Sequence, residues 1–289
     1  MREEVLMARM SWREACQLDR TLTSLEGFFS APPDYAQTLT GGLTNRCWKI
    51  VTEEHSFVWR PNTPITQAFS ISRFQEYQIL SAIESSNLGP KPLSINDQGL
   101  LVEWIDGQSL TGGLPFDSLL KTQIKIHNLS TARIPVAPFS FIARVDHYWL
   151  QLKAEYKSED LSALYQRWRT APNLADVGHT LCHFDLAGYN MVKTDEGNRV
   201  IDWEYASIAD PRLDLALSID VAEEKPLEAV YRYCQLREIL GVDDWVEGVV
   251  AWHPRATMMA MLWYLLAHQL WGDDYYRQQA EHLKRTLCS

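Results

Sequence analysis

The chain has 289 residues, 46 % hydrophobic and 22 % charged, which is the balance of a globular protein with a substantial core. Its 37 acidic and 27 basic residues give a net charge of −10 with no run of Lys or Arg. Nucleic acid and anionic membrane, whose phosphates need neutralising cations, are therefore excluded as expected partners. The longest apolar stretch, 258–266, falls far short of the roughly 20 residues that span a bilayer and reads as a buried helix. Cys16, Cys47, Cys182, Cys234 and Cys288 form no CxxC pair, and residues 1–13 mix charges throughout. Reduced thiols and a cytoplasmic location are expected.

Residues 1–30 read as helical, and Ala31-Pro32-Pro33-Asp34 breaks that helix. From 35 to 105 the texture is β-rich. One strand ends at Thr40-Gly41-Gly42, a second covers 45–51, and a third covers 57–60 after the polar turn Thr52-Glu53-Glu54-His55. A helix follows over 72–85, with Ser72 as N-cap and Gln75 three residues on. Pro90 and Pro92 end it, and 100–105 returns to strand. After Asp106-Gly107, helices are expected over 116–130, 145–169, 227–240 and 245–286. A loop and hairpin over 181–205, turning at Asp195-Glu196-Gly197-Asn198, interrupt them. The expected fold class is α+β and bilobal. A small antiparallel β-rich lobe (1–105) carries an N-terminal helix and binds nucleotide, and a larger helical lobe (106–289) carries catalysis and substrate binding.

The chemistry concentrates in His183-Phe184-Asp185, then Asn190, then Asp202 after a hairpin. Asp185 follows the strand-like Thr180-Leu181, and the spacing to Asn190 lets one loop turn back on itself. The hairpin 191–193/199–201 returns the chain to deliver Asp202. Asn and Asp oxygens are hard ligands that suit Mg²⁺, which keeps several waters and takes few protein carboxylates. The layout is the H-x-D-x-x-x-x-N catalytic loop followed by a metal-binding Asp. His183 and Asp185 are thus the candidate catalytic residues, with Asp185 as the base that accepts the hydroxyl proton. Asn190 and Asp202 are the candidate metal ligands. On the helix over 72–85, Glu76 sits with Ile79, Leu80 and Ile83 at offsets of three, four and seven. A carboxylate on that apolar stripe needs a cation, and Arg60 at the end of the third strand is the candidate.

Asp202-Trp203-Glu204-Tyr205-Ala206 followed by Asp210-Pro211-x-x-Asp214-Leu215-Ala216 resembles the aminoglycoside phosphotransferase superfamily, which has a protein-kinase-like fold. The resemblance is closest to its choline/ethanolamine and bacterial thiamine kinase branches and runs from about 35 to 216. It implies ATP and Mg²⁺ as cofactors and Asp214 as a support of the catalytic loop. Leu39-Thr40-Gly41-Gly42-Leu43-Thr44-Asn45-Arg46 is similar to the family's phosphate-covering turn, so Gly41, Gly42, Thr44 and Asn45 are nucleotide-binding candidates. Arg60, with Glu76, stands where protein kinases place a Lys–Glu pair for the α/β-phosphates. The connector Leu101-Val102-Glu103-Trp104-Ile105-Asp106-Gly107 resembles the adenine-receiving segment, through Glu103 and Ile105. Glu204 either approaches a second metal or faces solvent.

Eleven Trp and twelve Tyr, several in the second half, favour a cationic alcohol as the small-molecule partner, because aromatic faces attract quaternary ammonium and thiazolium groups. Trp263 is the cage candidate by resemblance. Thiamine is the leading acceptor, ahead of choline or ethanolamine and then of an aminoglycoside or amino sugar. An ATP-binding pseudokinase would have lost the base or a metal ligand, and all three stand here. A metal-dependent hydrolase would need further His ligands, and the remaining histidines show no ligand spacing.

Overall fold

The computed structural model describes residues 9–39 and 47–288. The chain opens on α1 (Trp12–Leu18), started by a capping box in which Ser11 and Glu14 satisfy each other's backbone N–H groups. A 3₁₀ turn, Arg20–Leu25, follows. The strands β1 (Tyr35–Thr38), β2 (Trp48–Val51), β3 (Ser56–Pro61), β4 (Pro92–Asn96) and β5 (Gly99–Glu103) form one antiparallel sheet in the order β1-β2-β3-β5-β4. Between β3 and β4 come α2 (Pro64–Ala68) and α3 (Arg73–Ile83).

Side chains alternate across a strand, and this sheet buries both of its faces. Trp48, Ile50, Trp59 and Leu101 face the N-terminal segment and pack with Ala15, Leu22 and Leu25. The Trp48 and Trp59 indoles donate to Asp19 and to the Thr21 hydroxyl at 2.8 and 2.9 Å, which ties that segment to the sheet. Leu100 and Val102 face the opposite way, onto α3. Alternation puts Arg60 on the same side as Val58, so its guanidinium points at α3. The buried residues of α3 are Arg73, Glu76, Ile79, Leu80 and Ile83, one continuous stripe with its charges at the N-terminal end.

Beyond the connector, β6 (Gln108–Ser109), β8 (Met191–Thr194) and β9 (Gly197–Val200) form a small sheet, while β7 (Thr180–Cys182) pairs antiparallel with β10 (Ser207–Ala209). The rest is helical: α4 (Phe116–His127), α5 (Phe141–Gln151), α6 (Glu159–Trp168), α7 (Pro211–Val221), α8 (Pro226–Leu236), α9 (Val242–Trp271) and α10 (Asp274–Cys288). Their core gathers around Leu120, Val145, Leu213, Leu215, Tyr233 and Leu262. The apolar stretch 258–266 lies within α9, and Met258, Met261, Leu262 and Leu266 are buried there as expected.

Several boundaries differ from the sequence expectation. Residues 1–30 are not one helix, because α1 ends at Leu18 and the chain tightens into a 3₁₀ turn capped by Asp19. The helix expected over 145–169 is two, α5 and α6. The break follows from Ser158, whose hydroxyl caps a new helix by accepting from the Leu161 N–H. The helix expected over 245–286 is also two, because Gly272 at φ 71° closes α9 in the left-handed region that glycine tolerates. Pro92 opens strand β4 instead of only ending a helix, and as first residue of an edge strand its missing N–H costs little. The helix α7, unanticipated, starts at Pro211 behind the Asp210 cap.

Gly248 in α9 meets Arg212, whose guanidinium is pinned by Asp210 and by the Ala175 and Asp244 carbonyls. A Cβ on Gly248 would lie 2.2 Å from Arg212 Cδ. Replacing a mid-helix Gly by Ala ordinarily stabilises by about 1 kcal/mol, so the sign of Gly248→Ala tests the contact. Overpacking should win and cost about 1–3 kcal/mol, read as a lower urea midpoint at unchanged m-value. A midpoint at or above wild type contradicts this packing.

Candidate active site

Strand β7 delivers His183, Phe184 and Asp185 into a loop that closes with the 3₁₀ turn Gly188–Asn190 and passes directly into the β8–β9 hairpin. Phe184 and Asp202 both adopt the left-handed region, at φ 65° and 64°. Each such residue costs about 1–2 kcal/mol, so the surroundings must hold it. The Phe184 N–H donates to Asp214 Oδ1 at 2.6 Å. Asp214, fully buried at the first turn of α7, also accepts from Gln123 Nε2 at 2.9 Å and lies 2.8 Å from His127 Nε2. His127 Nδ1 meets the Tyr233 hydroxyl at 2.6 Å, which continues the network to Arg237. His127, Cys182 and Asp214 cluster closely enough to suggest a metal site. Both Asp214 oxygens are already engaged by protein groups, so the cluster serves the loop.

Asn190 Nδ2 donates to both the backbone oxygen and Oδ2 of Asp185, each at 2.9 Å, and the Tyr189 hydroxyl donates to Oδ1 at 2.6 Å. Burial pushes the Asp185 carboxyl up to about 7, with the Asp202 charge adding and the Tyr189 and Asn190 bonds opposing. His183 is fully buried, and burial lowers its pKa. As a neutral ring it donates from Nε2 to the Ile201 carbonyl at 3.1 Å and accepts the Asp185 N–H at Nδ1, 3.3 Å away. His183, a catalytic candidate on sequence, thus links the loop to the strand end before Asp202.

Five charged side chains, Asp202 among them, meet at one point. Arg60 Nε lies 2.9 Å from Glu76 Oε1 with its N–H aimed aside, and Arg60 Nη2 bonds Asp202 Oδ1 and Glu204 Oε2, the latter at 3.0 Å. Arg73 Nη1 reaches Glu76 Oε2 at 2.6 Å and Glu204 Oε2 at 3.1 Å. Burial opposes ionisation of Asp202, but the Arg60 and Arg73 charges outweigh it and hold the carboxyl below its ordinary range. Burial and then Asp202 raise Glu204. The solvent-facing alternative for Glu204 is overturned, since only 6 % of it is exposed and both arginines hold it. Arg73, which the sequence reading passed over, is buried at the helix start, a position that locally looks like surface.

Two guanidinium groups against three carboxylates leave this cluster one negative charge in excess, and Asp185 stands nearby. Among the described residues no donor engages Asn190 Oδ1 or Asp202 Oδ2. A surplus of negative charge with unclaimed hard oxygens fits a divalent cation. Gly41, Gly42, Thr44 and Asn45 lie outside the described residues. Glu103 spends its carboxylate on Arg199 and on the Lys91 N–H, and Ile105 is buried beside it. Trp263 is half-buried among Phe69, Tyr264, Trp271 and Tyr276, and its indole donates to the Tyr205 hydroxyl at 2.9 Å. It joins the site through Tyr205, next to Glu204, as part of an aromatic wall.

With this geometry in place, comparison with known proteins is decisive at the level of family. Residues 36–248 match the sequence profile of the phosphotransferase enzyme family. The chain belongs to that family. It is a phosphotransferase acting on a hydroxyl group. A thiamine kinase of Shigella boydii is 24 % identical over 253 residues, covering 86 % of this chain and 89 % of that one. An ethanolamine kinase of Plasmodium vivax shares the fold with a TM-score of 0.71 at 16 % identity, over 96 % of this chain and 89 % of that chain. Choline kinase LicA of Streptococcus pneumoniae, also solved with AMP, matches with a TM-score of 0.67 at 21 % identity, over 92 % and 96 %.

Ionisation of Asp214 links the catalytic loop to pH. Burial opposes its charge, but His127, Gln123 and the Phe184 N–H outweigh burial and keep the folded carboxyl below its ordinary value. A depressed folded pKa contributes stability above the unfolded value, about 3.9, and that stability disappears as pH falls through the folded pKa. Unfolding free energy of the wild type should therefore drop steeply below about pH 4, and Asp214→Asn, less stable at neutral pH, should lose less over that range. Parallel pH profiles for the two proteins contradict the assigned charge state.

Proposed function

We propose that this chain transfers the γ-phosphoryl group of ATP to the primary hydroxyl of thiamine, giving thiamine monophosphate. The observation that carries the reading is Asp185. It is a carboxylate oriented by Asn190, close enough to feel the charge of Asp202, which is itself paired to Arg60. The thiamine assignment is supported by the match to thiamine kinases along nearly the whole of both chains. The aromatic wall around Trp263 and the site's negative charge suit a thiazolium cation.

In this reading Asp185 accepts the proton of the attacking hydroxyl, and Asn190 holds that carboxylate in place. Asn190 and Asp202 would hold Mg²⁺, whose charge would neutralise the phosphate oxygens during transfer. Arg60 turns its guanidinium to the phosphates, and Glu76 restrains its stem. The backbone at Glu103 and Ile105 receives the adenine. The five free thiols suit a reducing cytoplasm. Among the described residues no helix is long and apolar enough to cross a membrane.

Choline or ethanolamine is the second reading, favoured by the folds of the solved relatives. ADP release from Mg-ATP should be stimulated by thiamine above choline, ethanolamine, an aminoglycoside and N-acetylglucosamine. Preference for another acceptor reassigns the substrate and leaves the kinase standing. Asp185→Asn should lower turnover about 10²–10⁴-fold while nucleotide affinity stays near wild type, and near-normal turnover rejects Asp185 as the base. Asp202→Ala should abolish Mg²⁺-dependent nucleotide binding in calorimetry; normal affinity in that variant excludes Asp202 as a ligand.

A further inference from the structure

Both oxygens of the Asp185 carboxylate are taken in this structure, Oδ2 by Asn190 at 2.9 Å and Oδ1 by the Tyr189 hydroxyl at 2.6 Å. Each carboxylate oxygen accepts about two hydrogen bonds, so an incoming alcohol either shares an oxygen with its present donor or displaces it, and the oxygen is the stronger base once that donor has left. Asn190 is buried and held by a second bond to the Asp185 backbone oxygen. Tyr189 is 47 % exposed, and its hydroxyl makes no other bond among the described residues. Gly188 fixes this placement. A Cβ there would lie 2.6 Å from the Leu110 carbonyl oxygen, so the turn can pack against the residue that follows β6 only with glycine. Consecutive residues Tyr189 and Asn190 are thereby set on the two oxygens of one carboxylate.

We propose that Tyr189 is a gate for the acceptor, its hydroxyl occupying the seat on Asp185 Oδ1 that the acceptor hydroxyl takes and keeping water out of it. The inference rests on Asp185 being the base. Water that displaces the Tyr189 hydroxyl gains only an equivalent charge-assisted hydrogen bond in return, so nothing drives the exchange. A bound alcohol displaces it with binding energy from the rest of its structure. Where the gate is missing, a water oxygen attacks the γ-phosphorus and the bond from that phosphorus to the bridging oxygen breaks. ADP leaves, and the water proton passes to Asp185.

Tyr189→Phe removes the hydroxyl and keeps the ring. ADP release from Mg-ATP without acceptor is expected to rise about tenfold over wild type, the loss of one hydrogen bond to a charged group. The KM for thiamine should fall and the melting temperature should hold. A structural lesion does not raise hydrolysis, and adding Asp185→Asn in the same background should remove the gain. If Tyr189→Phe binds Mg-ATP and hydrolyses it at the wild-type rate, the gate is overturned and the kinase stands. A raised KM for thiamine also overturns it, because the hydroxyl is then an acceptor-binding group. Failure of the wild type to bind Mg-ATP removes the assignment of Asp185 and the gate together.

Discussion

The structure turns on one buried ion cluster, in which Arg60 and Arg73 face Glu76, Asp202 and Glu204. Charges out of water are costly, and removing one partner of such a set leaves an uncompensated charge worth about 3–5 kcal/mol of destabilisation. The cluster therefore constrains everything that supplies it. The strand β3 must present Arg60 toward α3, α3 must keep Arg73 and Glu76 on its apolar stripe, and the segment after the β8–β9 hairpin must turn back to place Asp202 and Glu204. A hydrophobic replacement could hold these elements together at similar or better stability. Its survival as ions, with one negative charge in excess, points to a role in chemistry.

The second constraint is backbone strain on either side of that chemistry. Phe184 and Asp202 hold left-handed conformations, costly for Phe and better tolerated by Asp, and each is tied by a charged partner, Asp214 for Phe184 and Arg60 for Asp202. The two ties come from different elements, α7 and β3, so the loop from His183 to Asn190 and the segment at Asp202 are fixed independently and meet through His183. Local rules are broken at the site and compensated by the network around it.

Much of this was legible in the sequence, and the exceptions have physical reasons. The loop from His183 to Asn190 and the hairpin to Asp202 declared themselves because spacing and turn residues are local signals. The nearness of Arg60 and Glu76 followed from a carboxylate on an apolar stripe needing a cation. Gly272 and Ser158, which divide the long helices, were ordinary stop and start signals outweighed by hydrophobic periodicity running through them. Arg73, the burial of Glu204 and the tie from His127 to Asp214 carried no local signal. Each depends on a partner far away in the chain, and an arginine beside a helix cap reads as surface until the opposing carboxylates are seen.

The most direct measurement is a crystal structure of the protein with Mg²⁺ and a non-hydrolysable ATP analogue. The account requires the metal on Asn190 Oδ1 and Asp202, with Arg60 turned from Asp202 to the phosphates while Glu76 and Glu204 remain on Arg73. A metal held by Glu204 and Glu76, or Arg60 still locked on Asp202 beside a bound nucleotide, would contradict it.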